Sequence, residues 1–263
     1  MVAREHGELA ELLAALEAGG KGPDAAWTVR CAQILDMDGM CVSTQADSGE
    51  LLWFSDELST RLDDLQFTLG EGPSYEAGEH GSMSLTADLR TSSARRWTAF
   101  APGAEELGVR SVFAFPLRLG AISVGALTGY RREPRPLADE SVDAALSLCD
   151  ALTLHLLSTL SPPARSARSA RSARPGPYEN ESTHNRPSGL HRAVVHQASG
   201  MLSVELGVNL ATALDRLRAY AFSHNRPIVA VSRDVVARRL QLTADCSGPG
   251  PCPGPGHSES GNR

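Results

Sequence analysis

The chain has 263 residues, 41% of them hydrophobic, and a formal net charge of −6. Such a length fits one or two domains, and the apolar share is ample for a globular core. No run of apolar residues approaches the ~20 that a membrane-spanning helix needs. Residues 1–20 alternate charges with Leu and lack the basic-then-apolar pattern of a secretory leader, so a cytoplasmic protein without membrane contact is expected.

The charge is unevenly spread. Residues 1–163 hold 12 Arg and Lys against 24 Asp and Glu, whereas residues 164–242 hold 12 Arg against 5 acidic residues. A chain divided in this way points to a polyanionic partner met by the basic part alone.

In chain order, 1–23 predicts a short amphipathic helix closed by "GGKGP". "DAAWTVRCAQILDM" (24–37) reads as a helix. "GMCVSTQ" and "LLWFS" read as strands around the turn residues "ADSGE". "DELSTRLDDLQFTLG" (56–70) reads as a helix with Asp56 as its N-cap. "TLGEGPS" (68–74) is Gly-rich but lacks the Lys and the following helix of a phosphate loop. It is expected to be a helix-ending turn, with Gly70 and Gly72 at positive φ. "SMSLTADL" predicts a short strand, and "ARRWTAFAPGAEELG" a helix broken near Pro102. "VRSVFAFPLRLG" and "AISVGALTGYRR" predict a hairpin around Gly120, and 138–160 a long closing helix. Tightly connected strands pair antiparallel, so 24–160 is an α+β domain: a central antiparallel sheet with helices packed on it.

Residues 161–181 form an Arg/Ser/Pro linker, and 245–263 a Pro/Gly tail that cannot bury a core. Between them, 182–244 predicts a small all-α unit of three helices. The first runs over about 188–206, with Leu190, Val194, Ala198, Met201 and Leu202 inward and Gly207 as its stop. The second runs over 210–223 with Asn209 as its cap. Leu210, Ala213, Leu214, Leu217 and Ala221 form its apolar stripe. The third starts at Pro227, with Ile228, Val231, Val235 and Leu240 inward.

Nucleophile elbows, zinc-protease helices and phosphate loops are absent from the sequence, so no enzyme, cofactor or metal site is expected. Cys31, Cys41 and Cys149 sit in apolar contexts as small core residues. Cys246 and Cys252 with His257 offer too few ligands for a zinc site, which takes four. His155 is expected at a helix surface or interface and His80 in a solvated turn.

The stretches 55–74, 96–120 and 125–157 together resemble a GAF domain of the actinobacterial type. The resemblance implies a sensor or dimerisation domain but does not identify a ligand. Ser74 stands where such relatives often carry Cys, which argues against thiol-based sensing at this position. "RAVVHQASGML" (192–202), "LGVNLATALDRLRAYAFSHNRPI" (206–228) and "VAVSRDVV" (229–236) resemble an ANTAR domain. That family is an RNA-binding module of transcription antitermination regulators. The family's A-K-G is here Ala198-Ser199-Gly200, so a Lys able to meet a phosphate is missing.

The resemblance implies a signal-responsive regulator that binds hairpins in nascent transcripts and controls termination, as a homodimer. A protein-interaction module and a DNA-binding regulator with a GAF sensor are the alternatives. Candidate RNA contacts are Arg192, Arg218 and Arg226 for phosphates, Gln197 and Asn225 for base edges, and Ser199 and Gly200 for close approach. Gly200 has two readings: tight packing within the bundle, or room left for RNA. Arg165, Arg168, Arg171 and Arg174, at a spacing of three, are either a solvated linker or an auxiliary basic arm.

Overall fold

The computed structural model describes residues 2–14, 16, 23–44, 49–92, 96–160 and 192–242. The Arg-repeat linker, the tail with Cys246, Cys252 and His257, and Leu190 at the expected start of the first C-terminal helix lie outside the described residues. The chain splits into two compact units, Met1–His191 and Arg192–Arg263.

The first unit runs α1 (Val2–Ala14), α2 (Ala25–Ile34), β1 (Gly39–Thr44), β2 (Leu51–Phe54), α3 (Glu57–Leu69) and α4 (Pro73–His80). It continues with β3 (Ser84–Thr86), α5 (Leu89–Ser92), α6 (Phe100–Glu106), β4 (Ser111–Leu119), β5 (Ile122–Arg131) and α7 (Asp139–Leu160). The sheet has five strands in the order β2-β1-β5-β4-β3. Every neighbouring pair is antiparallel. The α+β reading therefore holds, and β4 and β5 form the expected hairpin, with Gly120 at φ 59° in its turn.

Alternation along the strands sends successive side chains to opposite faces. Val42, Phe113, Phe115, Leu117 and Leu127 point to one side and pack with Leu12, Trp27, Leu148 and Leu152 from α1, α2 and α7. Val112 and Tyr130 point to the other and pack with Leu62, Leu89, Trp97 and Phe100 from the α3, α5 and α6 side. Two sheet glycines permit close approach. A Cβ on Gly125 would lie 2.2 Å from the Ser43 carbonyl oxygen, and one on Gly129 would lie 2.0 Å from Met37 Sδ.

Several local expectations are met. Asp56 caps α3: its Oδ1 accepts from Ser59 N–H at 2.7 Å, and Ser59 completes a capping box. Cys31, Cys41 and Cys149 are buried and form no disulfide. His155 sits at an internal contact, with Nδ1 3.0 Å from the Leu16 carbonyl and its ring 6.0 Å from that of Trp53.

Three expectations need correction, and the place of the N-terminal helix is added to them. A helix does follow the Gly-rich turn: α4 starts at Pro73, whose preset φ suits a first helical position. Pro102 lies inside the first turn of α6 rather than breaking it, because first-turn N–H groups have no intrahelical acceptor to lose. The N-terminal helix belongs to the core of the first unit: Leu12 and Leu16 are buried there, and Trp27 Nε1–H donates to the Leu12 carbonyl at 3.0 Å. Finally, α7 is long and apolar enough over Asp139–Thr159 to cross a membrane by length and composition alone. In the fold, its Ala145, Leu148, Cys149, Leu152 and Leu156 are buried in the core shared with the sheet.

The second unit is three helices, α8 (Ala193–Leu206), α9 (Leu210–Ser223) and α10 (Ile228–Val236). Asn209 caps α9, its Oδ1 accepting from Thr212 N–H at 2.8 Å. Gly207 ends α8 at φ 63°. The buried set is Val195, Ala198 and Leu202 of α8, Ala213, Leu217 and Ala221 of α9, and Ile228, Val231 and Val235 of α10. On α8 the buried stripe runs through Val195, Ala198, Ser199 and Leu202, leaving Val194 and Met201 on its flanks. Leu210, expected inward, is 60% exposed.

Candidate nucleic-acid interface

The described helical unit, 192–242, carries seven Arg against Glu205, Asp215 and Asp234. That surplus suits phosphate contact, and the placement of each group decides which of them can take part.

Two of the residues singled out from sequence are inside the unit. Arg192 is 1% exposed at the start of α8, where its carbonyl accepts from Val195 and His196 N–H. Ser199 is 4% exposed, and its hydroxyl donates to the Val195 carbonyl at 2.9 Å. Neither side chain is a surface group of the described unit, which sets Arg192 and Ser199 apart from the exposed Gln197 and Asn225. The cause is the α8 stripe through Val195, which carries Ser199 inward one turn later.

Gln197 and Gly200 lie off that stripe. Gln197 is exposed, and a Cβ added to Gly200 would meet nothing within 4 Å. Packing within the unit therefore does not account for Gly200. Next to it on the same helix, Val204 is exposed too.

Arg218 lies on α9 with its side chain 22% exposed and its guanidinium 3.5 Å from Asp215. Asn225 is exposed in the turn after α9, in the left-handed region at φ 49°, which Asn tolerates. Arg226 is held: its Nη2–H donates to Asp234 Oδ2 at 2.5 Å. Asp234 also receives Arg239 through Nε at 2.9 Å. These bonds, first from Arg226 and then from Arg239, hold the Asp234 carboxyl below its usual range, and the carboxylate in turn raises Arg226 further. Arg226 thus ties the α9–α10 turn to α10 and keeps part of its guanidinium exposed. Arg233 and Arg238 are exposed, and neither has an ion-pair partner among the described residues.

Sequence reading did not single out the Arg226–Asp234–Arg239 clamp or the exposed ring of Phe222. The eight-residue separation of Arg226 and Asp234 spans two elements, so helical spacing did not join them. The signal for Phe222 was present, since it falls off the stripe made by Ala213, Leu217 and Ala221.

In the first unit, the Gly-rich turn is a structural joint. Gly70 caps α3 at φ 66°, and Gly72, at φ 133°, brings the chain against Gln66. Glu71 Oε1 accepts from the Ala99 and Phe100 N–H groups, both at 2.7 Å, at the start of α6. Ser74 is buried, and its N–H donates to Gln66 Oε1. An open cleft of about 680 Å³ lies where α3 begins, lined among others by Asp38, Asp56, Arg61, Leu107, Tyr130 and Arg132. Tyr130 donates its hydroxyl hydrogen to Asp56 Oδ2 at 3.1 Å, and burial followed by the Asp56 charge pushes its phenol up to about 12. No group of three or more His, Cys, Asp or Glu able to hold a metal occurs among the described residues.

Residues 190–236 match the ANTAR domain family. The chain is similar in fold to several solved GAF domains. One, from a phosphoenolpyruvate-protein phosphotransferase of Coxiella burnetii, is 18% identical with a TM-score of 0.44, covering 57% of this chain and 94% of that one. Another, from an Acinetobacter phosphoenolpyruvate-protein phosphotransferase, is 13% identical with a TM-score of 0.44, covering 59% and 95%. A third, the phycoerythrobilin-bound GAF domain of a cyanobacterial phytochrome, is 13% identical with a TM-score of 0.43, covering 58% and 94%. No match was found among curated proteins.

Proposed function

We propose that this protein is a cytoplasmic RNA-binding regulator whose second unit binds stem-loops in nascent transcripts and thereby controls termination. The observation that carries the reading is the match of 190–236 to the ANTAR family, a module of RNA-binding antitermination regulators. Three features of the unit support it. Arg outnumbers acidic residues there, Gln197 and Asn225 are exposed donors able to reach base edges, and Gly200 leaves a bare patch of α8.

On this reading the chemistry is non-covalent. Arg side chains meet phosphates, amides read unpaired bases, and holding one RNA hairpin prevents a competing terminator hairpin from forming. The first unit supplies the control, by answering an unidentified small ligand or by pairing two chains into a homodimer. Neither unit is asked to perform catalysis.

The test is transcription in vitro from a template whose leader encodes two stem-loops ahead of a terminator. Read-through is expected to change as full-length protein is added, and to stop responding when the loop sequences are scrambled. Read-through that is indifferent to the protein on the intact leader would contradict the reading.

A further inference from the structure

The aromatic ring of Phe222 is unexplained by the fold. It is 62% exposed on α9, while the core of the unit is served on that helix by Ala213, Leu217 and Ala221. Tyr220, two residues earlier, already stacks on His224, with centroids 3.9 Å apart and planes at 17°. Phe222 has no ring partner among the described residues.

Its neighbours one turn earlier on the helix are the partly exposed, cationic Arg218 and the small, exposed Ala219, with no second large apolar side chain at those positions. Arg218 and Phe222 fall at i and i+4 on one face of α9, and Asn225 lies in the turn that follows the helix. The Arg218 guanidinium lies 3.5 Å from the exposed Asp215 carboxylate. Asn225 is exposed in its left-handed turn, and Arg226 follows it. A lone exposed ring set between Arg and Asn differs from the contiguous apolar patch that marks a protein docking face. It matches the recurring arrangement in which single-stranded nucleic acid stacks a base on an aromatic ring while cations track the backbone.

We infer that Phe222 is a stacking platform for one unpaired base of a bound RNA loop, with Arg218 meeting the adjoining phosphate and Asn225 placed to bond the base edge. The inference rests on the RNA-binding reading and adds the face and the residue through which an unpaired base is gripped. It also gives Asp215 a role: this carboxylate competes with phosphate for Arg218.

The experiment uses full-length protein with Phe222→Ala, Phe222→Leu, Phe222→Trp and Asp215→Asn variants. The probe is a two-stem-loop RNA carrying 2-aminopurine at successive loop positions. Binding is followed by anisotropy, stacking by 2-aminopurine quenching, and folding by circular dichroism melting. Phe222→Leu keeps apolar bulk without a π-face, so it is expected to lose affinity about tenfold or more, as is Phe222→Ala. Phe222→Trp keeps the affinity, and Asp215→Asn tightens binding severalfold. One loop position quenches with the native protein and with Phe222→Trp, but not with Phe222→Leu.

Native RNA binding together with undiminished affinity and quenching in Phe222→Leu would overturn the stacking role and leave the RNA reading standing. Failure of the native protein to bind any of the RNAs would overturn both. A change in oligomeric state in Phe222→Ala, with RNA affinity per chain unchanged, would assign the ring to a protein interface and likewise overturn the inference.

Discussion

In the sheet of the first unit, a methyl group on Gly125 would sit 2.2 Å from the Ser43 carbonyl oxygen and one on Gly129 would sit 2.0 Å from Met37 Sδ. On α8 of the second unit, a methyl on Gly200 would meet nothing within 4 Å. The sheet glycines are explained by their own fold, because another backbone or side chain already occupies the place of a Cβ. Gly200 is not. It sits inside a helix, where Gly is less favourable than Ala by ~1 kcal/mol, and nothing within its unit makes use of the space. The difference directs attention away from packing and toward something that approaches α8 from outside.

Substitutions can break this comparison. Gly125→Ala carries the largest expected effect. The obstructing atom is backbone, so the β1–β5 pairing must shift, and the first unit should lose about 3 kcal/mol in denaturant unfolding. Gly129→Ala meets the flexible end of Met37 and should lose less, about 1–2 kcal/mol. Gly200→Ala should act in the opposite direction, stabilising the helical unit by about 1 kcal/mol in thermal melts while weakening RNA binding in a titration. If Gly200→Ala stabilises the unit and leaves RNA affinity unchanged, the bare patch on α8 has no part in binding.

Acid provides a smaller effect. Hydrogen bonds from Arg226 and then Arg239 hold Asp234 below its usual value of 3.8, so its ionised form is favoured in the folded unit. The resulting stabilisation is complete above that value and is lost as pH falls through the lower folded value. Melts of the native protein and of Asp234→Asn should therefore converge as pH drops below about 3.8, and diverge above it. Parallel curves across that window would count against the clamp. Smallest of all is the thiol response. Burial pushes Cys31 up to about 12 and raises Cys149 as well, so in a Cys246→Ser/Cys252→Ser background the native protein should react slowly with a disulfide reagent and release its thiols only on denaturation.

What was legible in the sequence follows from where local chemistry decides structure. Asp56 and Asn209 were readable as caps, because a short polar side chain before an apolar period satisfies the first free N–H groups of a helix. The β4–β5 hairpin was readable from two alternating runs around Gly120, and α9 from its stripe of Ala213, Leu217 and Ala221. The α4 helix was not, because Gly70, Gly72 and Pro73 all read as turn residues when the bond from Ser74 to Gln66 and the reach of Glu71 to α6 are unseen.

The candidate interface was readable only in outline. The cationic surplus and Gly200 showed in the composition and the pattern. The burial of Arg192 and Ser199 did not, since polar residues are mostly exposed and only the three-dimensional course of the α8 stripe turns these two inward. Arg226 was recognised as basic, but its hold on Asp234 depends on the fold of the α9–α10 turn.

What the second unit binds decides the function of the protein. The most direct measurement is an anisotropy titration of full-length protein against three labelled ligands at one salt concentration: a two-stem-loop RNA, the same RNA with scrambled loops, and duplex DNA. The account predicts clear preference for the intact loops, with scrambled RNA and DNA binding weakly and falling away together as salt rises. Equal affinity for intact and scrambled loops, or a preference for duplex DNA, would contradict it.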